Sequence, residues 1–237
     1  MFLFIKLSIY TIIFVSHAAQ LAAAGYLINK AADVAKELFE ENRNNSLKYL
    51  TIWNVILQCI YCFASIVNCI LSLNHQDKFY KKLSQRLSKM LKLVNISLIS
   101  PIGLLVVSIF WMVYTIDREL VYPKKIDQVF PTIMNHAAHS FVIFLPIFEI
   151  FAQRNVSMPS FKLTVWGLSG FLFMFVCTLF GTYYFSSVWL YGFVNVIPWP
   201  AKIWFIVISY VGSLSALGLA TVIHSKLLLT DIKIKKN

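Results

Sequence analysis

Residues 49–73 read YLTIWNVILQCIYCFASIVNCILSL, an uninterrupted run with no Asp, Glu, Lys, Arg or His. Wound as an α-helix at ~1.5 Å per residue, it is longer than the ~30 Å hydrocarbon core of a bilayer is thick. Five further runs share this character, at about 7–28, 93–116, 131–152, 163–187 and 203–228. The weak period-2 alternation of membrane β-strands is absent, which argues against a barrel. Composition agrees: 59% of the 237 residues are hydrophobic and 13% charged, against ~45–50% and ~25% in soluble domains. The expected fold is all-α: an integral membrane bundle of six transmembrane helices forming one domain over 1–237, with no room for a soluble domain of ordinary size.

The run at 7–28 follows Lys6 and contains Ala22-Ala23-Ala24-Gly25, small residues that resemble a signal-peptidase site. It is long for a signal core and makes an even set with the other five, so an uncleaved helix is expected. A net charge of +11 in a soluble protein would suggest nucleic acid, but here the basic residues lie between spans, and no nucleic-acid partner is expected. Thirteen of the 21 basic residues, including Lys6, Lys78–Lys92 and Lys226–Lys236, fall on the side that holds both termini. The other side carries Lys30, Arg118, Lys124 and their neighbours, mixed with acids. The positive-inside rule therefore puts both termini in the cytosol.

Three segments between spans are more apolar than passive loops. Phe79, Leu83, Leu87 and Met90 recur at helical spacing among basic residues, which fits either an interfacial helix on anionic lipid or ordinary inside-positive charge. Lys30 to Glu41 carries Val34, Leu38 and Phe39 among charges and has the pattern of a short amphipathic lid. Trp189 to Pro200 is expected to fold back with its aromatics at headgroup depth. Cys59, Cys62, Cys69 and Cys177 all fall inside spans and read as packing residues rather than a disulfide framework.

Polar side chains inside spans are costly in hydrocarbon and are functional candidates. His136 and His139 stand three apart near the outer end of the fourth run, and Thr51, Asn54 and Gln58 form a stripe near the outer end of the second. The two runs point the same way, so Thr51 and His139 share a depth. A histidine that withdraws the threonine proton makes that hydroxyl a nucleophile for an ester carbonyl. Two plainer readings stay open: the threonine bonds to its own helix, or the histidines hold a metal or haem. With five histidines in all, His17 is the only partner at a comparable depth, and a metal set is short of ligands.

Four blocks occur in order: Lys48-Tyr49-Leu50-Thr51-Ile52-Trp53-Asn54 with Leu57-Gln58; Phe110-Trp111 with Tyr114; Asp117-Arg118-Glu119-Leu120-Val121-Tyr122-Pro123-Lys124; and Asn135-His136-Ala137-Ala138-His139-Ser140. Together they closely resemble the family of the androgen-induced protein and the androgen-dependent TFPI-regulating protein, from the second span through Trp189-Leu190-Tyr191 and Pro200-Ala201-Lys202-Ile203. That resemblance implies a multi-pass membrane threonine hydrolase of fatty acid esters of hydroxy fatty acids (FAHFAs), with Thr51 as nucleophile and His139 as general base. This chain departs from the family pattern at Ser140 (Thr expected), Leu91-Lys92 (Arg-Asp), Gly192 (Pro) and in the placement of Pro146.

The reading is a lipid ester hydrolase that works through an acyl-threonine, with no cofactor and no metal, drawing lipid-ester substrate from the membrane. Asn54, Asn135 and His136 are candidate supporting residues, with Asn54 a candidate oxyanion donor. Arg118 and Lys124 are candidate partners for a substrate carboxylate. No carboxylate is spaced to orient His139, so a dyad is expected. The expected location is the plasma membrane or the endoplasmic reticulum; oligomeric state is not legible. The alternatives are a non-enzymatic multi-pass lipid-binding or interaction protein and, behind it, a His-ligated metal or haem protein.

Overall fold

The computed structural model describes residues 2–32, 45–74 and 76–234. The helices are α1 (Phe2–Ala32), α2 (Leu50–Leu73), α3 (Lys78–Val94), α4 (Ser100–Ile116), α5 (Thr132–His139), α6 (Phe144–Ala152), α7 (Phe161–Ser186), α8 (Gly192–Val196) and α9 (Trp199–Ile234). Among the described residues, six helical stretches are long and apolar enough to cross a membrane. The proposed amphipathic lid at Lys30–Glu41 lies largely outside the described residues.

Two apolar clusters hold the bundle. Ile102, Val106, Val113, Leu168, Phe175, Phe193 and Leu217 join α4, α7 and α9 to the 187–198 segment. Tyr10, Tyr61, Cys62, Leu91, Ile99 and Leu145 join α1, α2, α3 and α6. Large apolar side chains on the outer surface, such as Phe173 and Trp166, stay exposed. In lipid that exposure carries no penalty, because the solvent is as apolar as the side chain.

The third span is longer than the apolar run suggested. α3 continues through a π-helical segment, Asn95–Ile99, into α4, giving one helix from Lys78 to Ile116. The segment containing Phe79, Leu83 and Met90 is thus continuous with the third span rather than a separate helix, docked by Ser84 and Ser88 to Asn68 and by Ser84 to Ser72 of α2. Lys92, grouped by sequence with the basic loop, is fully buried. Its ammonium donates to the Gln153 carbonyl at 3.0 Å and lies 2.7 Å from His224 Nδ1, a link from α3 to α9 that compensates its desolvation.

The fourth span is broken, and the cause is local. Pro146 has no N–H for the Val142 carbonyl and its ring crowds it. The chain relaxes into a 3₁₀ turn at Phe141–Ile143, so α5 ends at His139 and α6 begins at Phe144. The freed carbonyls are taken by side chains. Gln58 Nε2 donates to Val142 O at 2.9 Å, and Trp111 Nε1 to His139 O at 3.0 Å. Broken helices persist in hydrocarbon only where such partners exist.

The 187–198 segment folds back as expected, but with its largest aromatics packed inward and Val188 and Val196 left exposed. Ser187, in the left-handed region at φ 57°, ends α7, and Trp189, Leu190, Phe193 and Val194 are buried in the bundle. Gly192 permits the approach: a Cβ there would meet the Leu120 carbonyl oxygen at 2.9 Å.

Replacing Gln58 by Leu leaves the Val142 carbonyl and His17 Nε2 without their partner. The expected loss is about 1–2 kcal/mol, read as a lowered thermal midpoint of the protein in detergent; an unchanged midpoint would contradict the account of the break.

Candidate active site

α2 begins abruptly. Tyr49 is extended (φ −69°, ψ 135°) and offers no side-chain cap, and the first turn closes with Trp53 N–H on Tyr49 O at 3.1 Å. Leu50 N–H donates to the Tyr191 hydroxyl at 2.9 Å. Thr51 is therefore the second residue of a 24-residue helix, and its Oγ1 lies 3.2 Å from His139 Nε2.

His139 owes its place to the break below it and to the rings beside it. Its imidazole stacks on Phe110 with centroids 3.6 Å apart and planes 12° from parallel. Nδ1 sits 2.8 Å from Asn135 Oδ1 and 3.1 Å from the Asn135 carbonyl oxygen. A backbone carbonyl only accepts, so the proton rests on Nδ1 and the lone pair of Nε2 faces the Thr51 hydroxyl. This tautomer is the one a general base needs. Asn135 thus fixes the orientation of the imidazole from one turn upstream and adds a third residue to the expected Thr51–His139 pair.

The other sequence candidates divide. His136 does not face Thr51; its Nδ1 is 3.1 Å from Ser140 Oγ, and its ring stacks with Trp111, which also donates to Ser140 Oγ. Asn54 is fully buried beneath the site, with Oδ1 accepting from Gln58 Nε2 at 3.3 Å, and it does not line the cavity, which separates it from the expected oxyanion role. Arg118 pairs with Asp127 at 2.8 Å and donates from Nε to Tyr122 O, and that hydrogen bond to Asp127 raises its already high ionisation. Neither Arg118 nor Lys124 lines the cavity. His17 bonds Gln58 Oε1 at 3.1 Å. Among the described residues no cluster of three or more His, Cys, Asp or Glu is arranged to hold a metal.

Thr51, Asn135 and His139 open onto a cavity of about 390 Å³ walled by Ile52, Val106, Ile109, Phe110, Met134, Phe175, Phe193 and Phe205. That volume is in the range of small-molecule sites. Its polar rim is sparse: Gln20, Ser46, Tyr49, Glu119, Tyr122 and Tyr191. Burial, with Asp127 adding to it, pushes the Tyr122 hydroxyl up to about 12, so it stays protonated at neutral pH. Tyr191 was not among the site candidates read from the sequence; it stood there only in the Trp189-Leu190-Tyr191 string and in an aromatic cluster too apolar for a solvated loop.

The arrangement is that of an activated hydroxyl. A lipid-permeable fluorophosphonate is expected to label Thr51 in membranes. Thr51→Ala and His139→Ala should abolish labelling, and His136→Ala should keep at least a third of the rate; equal labelling of Thr51→Ala, followed by gel fluorescence, would contradict the assignment.

Comparison with known proteins places the chain among relatives. The family described as FAR-17a/AIG1-like protein matches residues 9–225. The chain is 25% identical over 163 residues to the androgen-induced gene 1 protein of Homo sapiens, 68% of each chain. It is 28% identical over 182 residues to the androgen-dependent TFPI-regulating protein of Mesocricetus auratus, 76% of this chain and 75% of the relative. No solved structure matches it.

Proposed function

The chain belongs to the FAR-17a/AIG1-like family, and we propose that it is a membrane-embedded hydrolase of fatty acid esters of hydroxy fatty acids. The observation that carries this reading is the Thr51 Oγ1 to His139 Nε2 contact of 3.2 Å, with Nδ1 anchored on Asn135, at the wall of an apolar cavity. The resemblance of the four sequence blocks to threonine hydrolases supplies the substrate class.

The reaction runs in two halves. His139 Nε2 takes the Thr51 proton as Oγ1 attacks the ester carbonyl, and the tetrahedral intermediate collapses as Nε2–H returns that proton to the leaving hydroxy fatty acid. An acyl-threonine remains. Water, deprotonated by the same nitrogen, attacks it; collapse releases the fatty acid and restores the Thr51 hydroxyl. Both ring nitrogens of His139 are engaged by protein atoms in the resting state, which holds the imidazole in place before an ester binds.

Position adds to the reading. Thr51 lines the cavity, and the excess of basic residues at the other end of the bundle supports a non-cytosolic position for it. The walls of Phe, Val, Ile and Met suit alkyl chains, and Arg118 is paired with Asp127 outside the cavity lining.

Purified protein is expected to hydrolyse the palmitoyl ester of hydroxystearic acid at least about tenfold faster than a triglyceride or a phosphatidylcholine presented in the same vesicles. Faster phospholipid cleavage would overturn the substrate class. His139→Ala should lower kcat by roughly 10²–10⁴-fold, the range of general-base loss. Asn135→Leu, which leaves the ring without its tautomer partner, should lower kcat about 10–100-fold with KM little changed, measured by product release.

A further inference from the structure

The nucleophile's place at the start of a helix has a chemical consequence. The first backbone N–H groups of any α-helix have no acceptor within it. In α2 the N–H of Leu50 is taken by Tyr191, and the first helical bond belongs to Trp53. Among the described residues no acceptor stands against the N–H groups of Thr51 and Ile52. Leu50, Thr51, Ile52 and Tyr191 all line the cavity.

The Tyr191 hydroxyl is half used. It accepts from Leu50 N–H on one lone pair, and no described group accepts its own proton. Its ring is fixed edge-on to Tyr49 at 5.4 Å and packed on Phe193 at 5.7 Å, and the close approach of Gly192 to Leu120 anchors the segment that carries it. Burial pushes its ionisation up, so the hydroxyl keeps its proton. Leu50 and Thr51 are adjacent, with Cα atoms ~3.8 Å apart, so this donor is held beside the attacking residue.

We propose that Tyr191 is a catalytic residue: its hydroxyl proton, together with the N–H groups of Thr51 and Ile52, receives the oxyanion that forms when Thr51 attacks the ester carbonyl. This rests on the hydrolase reading. Backbone N–H groups of the nucleophile and of the residue after it serve this purpose in unrelated acyl-transfer sites, and a neutral, rigid donor in a water-poor cavity needs no reorganisation as charge develops. No covalent bond to Tyr191 forms. The negative charge appears on the carbonyl oxygen at attack; on collapse that electron pair re-forms the C=O bond, the bond to the alcohol oxygen breaks, and the departing oxygen takes the proton from His139.

The test measures turnover of the palmitoyl ester of hydroxystearic acid by purified full-length protein. Tyr191→Phe is expected to lower kcat by roughly 10²–10³-fold with KM within about threefold. A hydroxyl that merely caps α2 would instead cost thermal stability and leave kcat within about threefold, which would overturn the proposal. Mono- and difluorotyrosine at position 191 keep the hydroxyl in place while making it a stronger donor and a weaker acceptor, and they decide the matter if Tyr191→Phe does not fold. A rate that rises with fluorination supports oxyanion binding, and a flat or falling rate overturns it. Thr51→Ala, assayed alongside, keeps the two claims apart: if it turns over like the wild type, the threonine hydrolase reading itself fails, whatever Tyr191 does.

Discussion

Inside a bilayer a backbone carbonyl that loses its helical partner has no water to turn to, and Pro146 creates that situation at Val142. The structure answers with Gln58, whose amide reaches across from α2 to Val142 while its oxygen meets His17 on α1. One buried side chain thereby ties three spans together at the depth where the fourth breaks. The break in turn ends α5 at His139, and Trp111 closes the exposed His139 carbonyl. The geometry between Thr51 and His139 follows from these repairs, since a continuous fourth helix would carry the imidazole in a different register past α2.

The same low-dielectric setting accounts for the makeup of the site. A carboxylate beside His139 would have to be desolvated, at a cost of several kcal/mol. The neutral amide of Asn135 holds His139 Nδ1 without bringing a charge, and it comes from the same short helix as the imidazole. A neutral imidazole stacked on Phe110 and a hydroxyl at a helix N-terminus complete a constellation with no formal charge at rest. Full charges lie outside that constellation, Glu119 at the cavity rim among them. Arg118 and Asp127 pair in the loop at the mouth, and Lys92 is buried at the opposite end against Gln153 and His224.

Span number and character were legible, because 20-residue apolar runs leave few alternatives in water or lipid. The depth match of Thr51 with His139 was legible for the same reason, and the motif blocks then drew attention to this pair over other polar residues. Breaks and joins were not. Pro146 signals a possible kink, but whether a helix bends or splits depends on Gln58 and Trp111, which lie far away in sequence. Lys92 reads as one more basic loop residue because its partners are 61 and 132 positions distant. Asn135 was visible only as an ambiguous amide until its oxygen was seen on Nδ1. Tyr191 was hidden because hydrophobic aromatics between two spans look like an interfacial belt, and only the close approach permitted by Gly192 turns them inward.

The central claim is that Thr51 carries the acyl group between the two halves of the reaction. Acid quenching of the protein during turnover of a fatty acid ester, followed by proteolysis and mass spectrometry, reads that directly. The account predicts that the peptide containing Thr51 gains the mass of the fatty acid less one water, and that the adduct is absent from Thr51→Ala protein. Product release at the wild-type rate with the acyl group on another residue, or with no covalent adduct under conditions that preserve threonine esters, would contradict it.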